Sequence, residues 1–360
     1  MFTIKQLAAL EILDSRGRPT LKTRCRLASG AEAAASVPSG ASTGTAEALE
    51  LRDGDPRRYR GLGVRKAVAN VNEVLHRALA GKSFSDQAAL DQAMLALDGT
   101  PDKSHLGANA LLSVSLAFAR ACAGQRAVPL YQHFADLAGL PLQTLPRLTI
   151  NLFSGGKHAG QQAPLQDVLV VPAAAATIAD GLAVTYEVYQ CAAELILRKY
   201  GMRVLRADEG GLAPPFACAE AMIADAVEAI RASGFDPGRE VAIAVDVAST
   251  HFYEDGVYRL GASALTSGEM IAQLDDWTRR FPIVSIEDGL SEEDWAHWPA
   301  LRTALAGRAL TLGDDFFCTN PGRIERAVRA RAADALLLKV NQVGTLTEAS
   351  EARQLARTAG

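Results

Sequence analysis

Residues 241–246 read VAIAVD, an apolar run that ends on an acid, and the same shape returns in PIVSIE at 282–287, LTLGD at 310–314 and ALLLK at 335–339. Short runs rich in Val, Ile and Leu that alternate with helical stretches are the mark of buried parallel strands joined by crossover helices. Two further runs, at 148–152 and 166–171, extend the series upstream. If these strands are parallel neighbours, Asp246, Glu287, Asp314 and Lys339 share one rim, and in a barrel of alternating strands and helices the C-terminal rim carries the active site. Three carboxylates meeting there repel one another unless a cation neutralises them. Hard oxygen ligands completed by water and substrate suit magnesium better than zinc. A lysine desolvated beside a dication has its charged form destabilised, so its pKa falls from ~10.4 toward the range of a general base. Each acid taken alone is more readily read as a solvated loop charge or a helix-start residue; it is the set that points to chemistry.

Working outward, the chain begins with strand-like segments at 2–13, 20–27 and 31–36, turned at Asp14-Ser15-Arg16-Gly17 and Ser29-Gly30. The period then changes, with Val64, Val68, Val71, Leu75 and Leu79 spaced by three or four residues as on one face of a helix. Further helices are expected at about 86–97 and 107–122. The organisation expected is α/β overall: an N-terminal α+β domain over 1–140, then a (β/α) domain over 141–360, with Pro141 and Pro146 at the join. Helix starts carry their signals: Thr266 with Glu269 spaced as a capping box, Asn320 before Pro321, and Thr345 with Glu348.

Composition narrows the function classes. The chain has 360 residues, 49% hydrophobic and 22% charged, with 37 basic and 41 acidic residues for a formal charge of −4. That balance is globular, and it lacks the basic excess that gives general affinity for nucleic acid or an anionic membrane. Cys25, Cys122, Cys191, Cys218 and Cys318 are scattered and odd in number, which fits neither a disulfide framework nor a zinc site, so a cytoplasmic protein is expected. No apolar stretch reaches the ~18 residues of a spanning helix, and the N-terminus has no apolar signal core.

Three loops remain. Asp208-Glu209-Gly210-Gly211, with Pro214 and Pro215 close behind, offers Glu209 on a glycine-rich turn where backbone can approach a ligand. Ser154-Gly155-Gly156-Lys157-His158 presents a glycine-flanked histidine after a strand. The stretch SGASTG at 39–44 has the glycines of a phosphate cradle without the lysine or strand-to-helix context of a P-loop, and carries little by spacing alone.

In order along the chain, EILDSRGRPT (11–20), SVPSGASTGTAEALELRDGD (36–55), LDGTPDKSHLGANALLSVSLA (97–117), ADEGGLAP (207–214), AVDVAST (244–250), SIEDGLSEEDW (285–295), GDDFFCTN (313–320) and LLLKVNQVGTLTE (336–348) resemble the enolase, or phosphopyruvate hydratase, family. The resemblance runs over essentially the whole chain. It implies an N-terminal meander with helices and a modified TIM barrel whose second strand runs antiparallel. It implies reversible dehydration of 2-phosphoglycerate to phosphoenolpyruvate in glycolysis, with one structural magnesium ion and one arriving with the substrate. Carried over by motif, Asp246, Glu287 and Asp314 resemble ligands of the first ion and Ser42 a ligand of the second. Lys339 resembles the base that removes the α-proton, and Glu209 the acid that helps hydroxide leave. His158, Gln166 and Asp167 resemble residues lining the substrate, and a homodimer is implied.

The chain departs from the family pattern at Asp167, where glutamate is usual, and at Ser154, where asparagine is usual. The sequence also stops at Gly360, where family members continue into further barrel strands, so a barrel lacking its last strands is expected. Two readings follow: a magnesium-dependent hydratase, or an enolase-like protein without that activity that serves as a binding partner. A different superfamily reaction on another carboxylic acid is a more distant third.

Overall fold

The computed structural model describes residues 1–360 apart from 41–42 and 161–162, and the chain divides into two units. The first comprises Met1–Gln143, Cys318–Ile324 and Leu338–Ala359; the second comprises Thr144–Phe317 and Glu325–Leu337, with Gly360.

Alternation builds the first unit. In β2 (Pro19–Leu27), Leu21, Thr23, Cys25 and Leu27 are buried while Lys22, Arg24 and Arg26 face outward, the period-2 pattern of a half-buried strand. β2 pairs antiparallel with β1 (Phe2–Leu13) and β3 (Glu32–Ser36), and β4 (Ser83–Phe84) closes the order β3-β2-β1-β4. The Asp14 turn is fixed by its own carboxylate, which accepts the backbone N–H groups of Arg16 and Arg18, each at 2.8 Å.

The Val64-to-Leu79 stripe is one helical run: α1 (Arg65–Ala69), a π-helical turn over Asn70–Leu75, and α2 (His76–Leu79), with Val64, Val71, Leu75 and Leu79 wholly buried. The widened turn aims Asn72 at β1, where its amide both accepts from and donates to the backbone of Ala9. α3 (Gln87–Asp98) starts on the Asp86 cap. α4 (Ala108–Gln125), rich in Ala and Ser, is buried along most of its length and reaches β2 through a 2.6 Å bond between Ser113 and Thr23. α5 (Leu130–Ala138) follows.

In the second unit the sheet order is β13-β12-β11-β7-β6-β5. Its strands are β5 (Ile150–Ser154), β6 (Asp167–Val171), β7 (Ala242–Asp246), β11 (Ile283–Glu287), β12 (Leu310–Gly313) and β13 (Ala335–Leu336). The last four are parallel, but β6 is antiparallel to both neighbours, which corrects the reading of apolar runs as uniformly parallel. Connection lengths explain it. Among its described residues the link from β5 to β6 holds no crossover helix, and the chain turns back. Between β6 and β7 run two packed helices, α6 (Ile178–Tyr200) and α7 (Ala219–Ala232), and a pair of helices returns the chain to the end it left.

A small sheet of β8 (Tyr253–Glu254), β9 (Val257–Leu260) and β10 (Ser263–Leu265) precedes α8 (Ser267–Arg280). The expected capping box opens α8: Thr266 Oγ1 accepts the Glu269 N–H, and the Glu269 carboxylate accepts the Thr266 N–H. α9 (Trp298–Leu305) follows, and the Trp298 ring stacks on Phe316 with centroids 3.9 Å apart. α10 (Pro321–Ala330) lies between β12 and β13 in the chain, and α11 (Val340–Val343) and α12 (Leu346–Ala359) complete the order. No helix among the described residues is long and apolar enough to cross a membrane.

Candidate metal and substrate site

Register sets the acids of the second unit side by side. Asp167 of β6 stands opposite Asp246 of β7, Asp246 is level with Glu287 of β11, and Glu287 is level with Leu312, from which Asp314 follows at the end of β12. Asp246 and Asp314 are buried, and Glu287 is half-buried. One Asp246 oxygen accepts the Ala248 N–H at 3.0 Å and the other accepts Gln166 Nε2 at 2.9 Å. With its nitrogen so engaged, Gln166 leaves its amide oxygen buried and without a hydrogen-bond partner among the described residues. An unsatisfied buried acceptor costs about 1–3 kcal/mol, a cost that a ligand hydroxyl or a bound water offsets.

Asp288 joins this group although its sequence position did not single it out. It is 3% exposed, and its carboxylate accepts the backbone N–H groups of Asp314 at 3.0 Å and Asp315 at 2.8 Å, so it brackets the acidic turn after β12 to the end of β11. Its carbonyl accepts both the N–H and the hydroxyl of Ser249. Burial, and then the charges of Asp314, Asp315 and Asp246, push its carboxyl well above the usual range. Asp288, Asp314 and Asp315 each bring one oxygen within 4.8 Å of the others. So dense a set of buried carboxylates, with Asp246 beside it accepting the amide nitrogen of Gln166, fits a hard dication. The available signal was the doubled acids: Glu287-Asp288 and Asp314-Asp315 each fall where a strand ends.

A second cluster forms where β5 runs into the tight turn Gly156–Ala159. His158 is buried, with Nδ1 2.8 Å from Asp167 Oδ2 and Nε2 3.8 Å from Glu209 Oε1. Ser154 Oγ donates to the other Asp167 oxygen at 2.5 Å. Glu209, its side chain half exposed, also accepts Asn151 Nδ2 at 3.0 Å. Burial alone holds His158 down, but the hydrogen bond and charge of Asp167, helped by Glu209 and Asp246, raise it above the ordinary histidine value. For Asp167, burial drives the carboxyl up while the His158 and Ser154 donors oppose. A buried carboxylate–imidazole pair beside an accessible carboxylate is an arrangement that holds and hands over a proton.

Lys339 belongs to the first unit. It is half-buried three residues after β13, and its backbone N–H is fixed by Thr319 Oγ1 at 3.0 Å. Ser42 lies outside the described residues. Its neighbours Gly40 and Thr43, with Glu47, Asn109 and Asn341, line a first-unit cavity of about 270 Å³.

Residues 4–134 match a family model described as the N-terminal domain of enolase, and residues 142–360 match one described as the enolase C-terminal TIM barrel domain.

Proposed function

The chain belongs to the enolase family, and from that premise we propose that it catalyses the reversible, magnesium-dependent dehydration of 2-phosphoglycerate to phosphoenolpyruvate, a cytoplasmic step of glycolysis and gluconeogenesis. The observation that carries this reading is the register that sets Asp167, Asp246 and Glu287 level at adjacent strand ends, with Asp314 next in line.

In this reading Asp246, Glu287 and Asp314 hold one ion, and Ser42 contributes to a second that arrives with substrate. Bound magnesium supplies Lewis-acid polarisation of the substrate carboxylate, and a lysine base with one or two such ions is the established solution of the enolase superfamily. Lys339 takes the proton from the carbon next to the carboxylate. Glu209 delivers a proton to the hydroxyl leaving the neighbouring carbon, since hydroxide by itself is a poor leaving group. His158 and Asp167 hold the charge beside Glu209, and Gln166 offers its amide oxygen to a substrate hydroxyl. The division of the chain at 140/141 and a homodimeric assembly belong to the same reading; a monomeric mass by sedimentation at micromolar concentration rules the dimer out.

The test is phosphoenolpyruvate formation from 2-phosphoglycerate by the 360-residue chain, with magnesium and then with excess chelator. Turnover that chelator abolishes is the expected result. A folded chain that binds magnesium and makes no phosphoenolpyruvate overturns the hydratase reading in favour of a binding protein.

A further inference from the structure

Ser154 and Asp167 are directly opposed across the antiparallel β5–β6 pair. Directly opposed residues project from the same side of the sheet with Cβ atoms about 5 Å apart, within reach of two short polar side chains. The Ser154 hydroxyl fixes one carboxylate oxygen at 2.5 Å, and the other is thereby committed to His158 Nδ1 at 2.8 Å. Ser154 is 1% exposed, so no solvent competes for the bond.

We propose that Ser154 is a positioning residue: it locks the Asp167 carboxylate, and through it the His158 ring, so that Nε2 is the nitrogen presented to Glu209. A carboxylate held at one oxygen only can turn about its last torsion and take the imidazole with it; held at both, it fixes the tautomer with the proton on Nδ1. Ser154 is also tied to the loop that carries Glu209. Its N–H donates to Leu212 O at 2.9 Å, and Gly211 passes so close that a Cβ there would lie 2.2 Å from the serine Oγ. The serine thus touches both sides of the His158–Glu209 contact. Its role also joins the two departures from the family pattern, since Ser154 and Asp167 are the two ends of one hydrogen bond.

The proposal rests on the hydratase reading for its chemistry, and its test separates the two. Ser154→Ala removes one oxygen and adds nothing to a crowded site. In the full chain labelled with ¹⁵N-histidine, the His158 ring, assigned by its absence in His158→Asn, is expected to show a protonated Nδ1 with a slowly exchanging proton. Ser154→Ala is expected to speed that exchange about tenfold and to lower kcat about tenfold with KM within about twofold, the split for a group that orients a proton donor rather than binds substrate. An unchanged His158 ring signal, or unchanged kcat in an active chain, overturns the proposal. If the unmodified chain makes no phosphoenolpyruvate, the hydratase reading fails and the ring signal alone decides the role of Ser154.

Discussion

In the proposed mechanism the backbone and the side chain of Lys339 have separate tasks. The backbone N–H is anchored on Thr319 Oγ1, whose hydroxyl proton goes to Gln342, so the backbone has an anchor of its own that replacing the side chain leaves in place. Lys339→Ala should therefore keep the far-ultraviolet spectrum and magnesium binding of the unmodified chain while losing at least about 10²-fold in kcat, the range of a removed general base. Turnover at the unmodified rate would take Lys339 out of the mechanism. The residues proposed for the site were legible as candidates because each sits inside a short local motif, as in ALLLK, DEGG and SGGKH. Ser154 as the partner of Asp167, and Asp288 as the bracket of Asp314 and Asp315, were not. Those bonds join segments separated by 13 and by 26–27 positions, and only strand pairing and the turn after β12 bring them together.

Among the elements, the junction of α3 with α12 turns on one buried acid. Asp91 on α3 accepts the backbone N–H and the hydroxyl of Thr347 in the first turn of α12, and Gln87 donates to its other oxygen. Burial raises its carboxyl to about 6 from an ordinary value of 3.8, against the pull of these donors. Between those two values the folded chain keeps a proton that the unfolded chain has released. The folded state therefore binds more protons, and stability falls as pH rises through the window and levels off above it. Urea unfolding at pH 4 and pH 7 should show a loss of up to about 3 kcal/mol in the unmodified chain that is missing from Asp91→Asn. Equal pH dependence in the two would mean that Asp91 titrates normally. Elements with strong local signals, such as β1, β2 and the capping box of α8, stood out in the sequence. The small sheet β8-β9-β10 did not, because its strands of two to four residues are too short for a period to register. The reversed direction of β6 was legible from the family resemblance and not from the apolar runs, since hydrophobicity alone does not encode strand polarity.

For the whole molecule, the formal charge of −4 understates how unevenly charge is distributed. Asp246, Asp288, Asp314 and Asp315 are all buried in the second unit, and burial first, with the charges of the other three added to it, holds the Asp288 carboxyl far up. A buried set of like charges weakens the fold until a cation joins it, so under the proposed function this acidic set should couple magnesium to stability. A ligand that binds only the folded state at about 100 times its Kd adds about 2.7 kcal/mol. In a chain of 360 residues, with an unfolding entropy of about 2.1 cal/mol/K per residue, that corresponds to a rise of about 4 °C in the melting transition. Calorimetry with magnesium and then with excess chelator should show the rise appear and vanish. Asp246→Ala should abolish it, because that carboxylate both joins the acidic set and holds Gln166 through its amide nitrogen. Potassium at matched ionic strength serves as the control for screening, which relieves exposed charges but reaches buried ones poorly. A rise of the same size with potassium would assign the effect to screening. A magnesium-specific rise that survives Asp246→Ala would move the ion to another set of ligands, for which the Asp288, Asp314 and Asp315 oxygens, within 4.8 Å of one another, are the first to substitute.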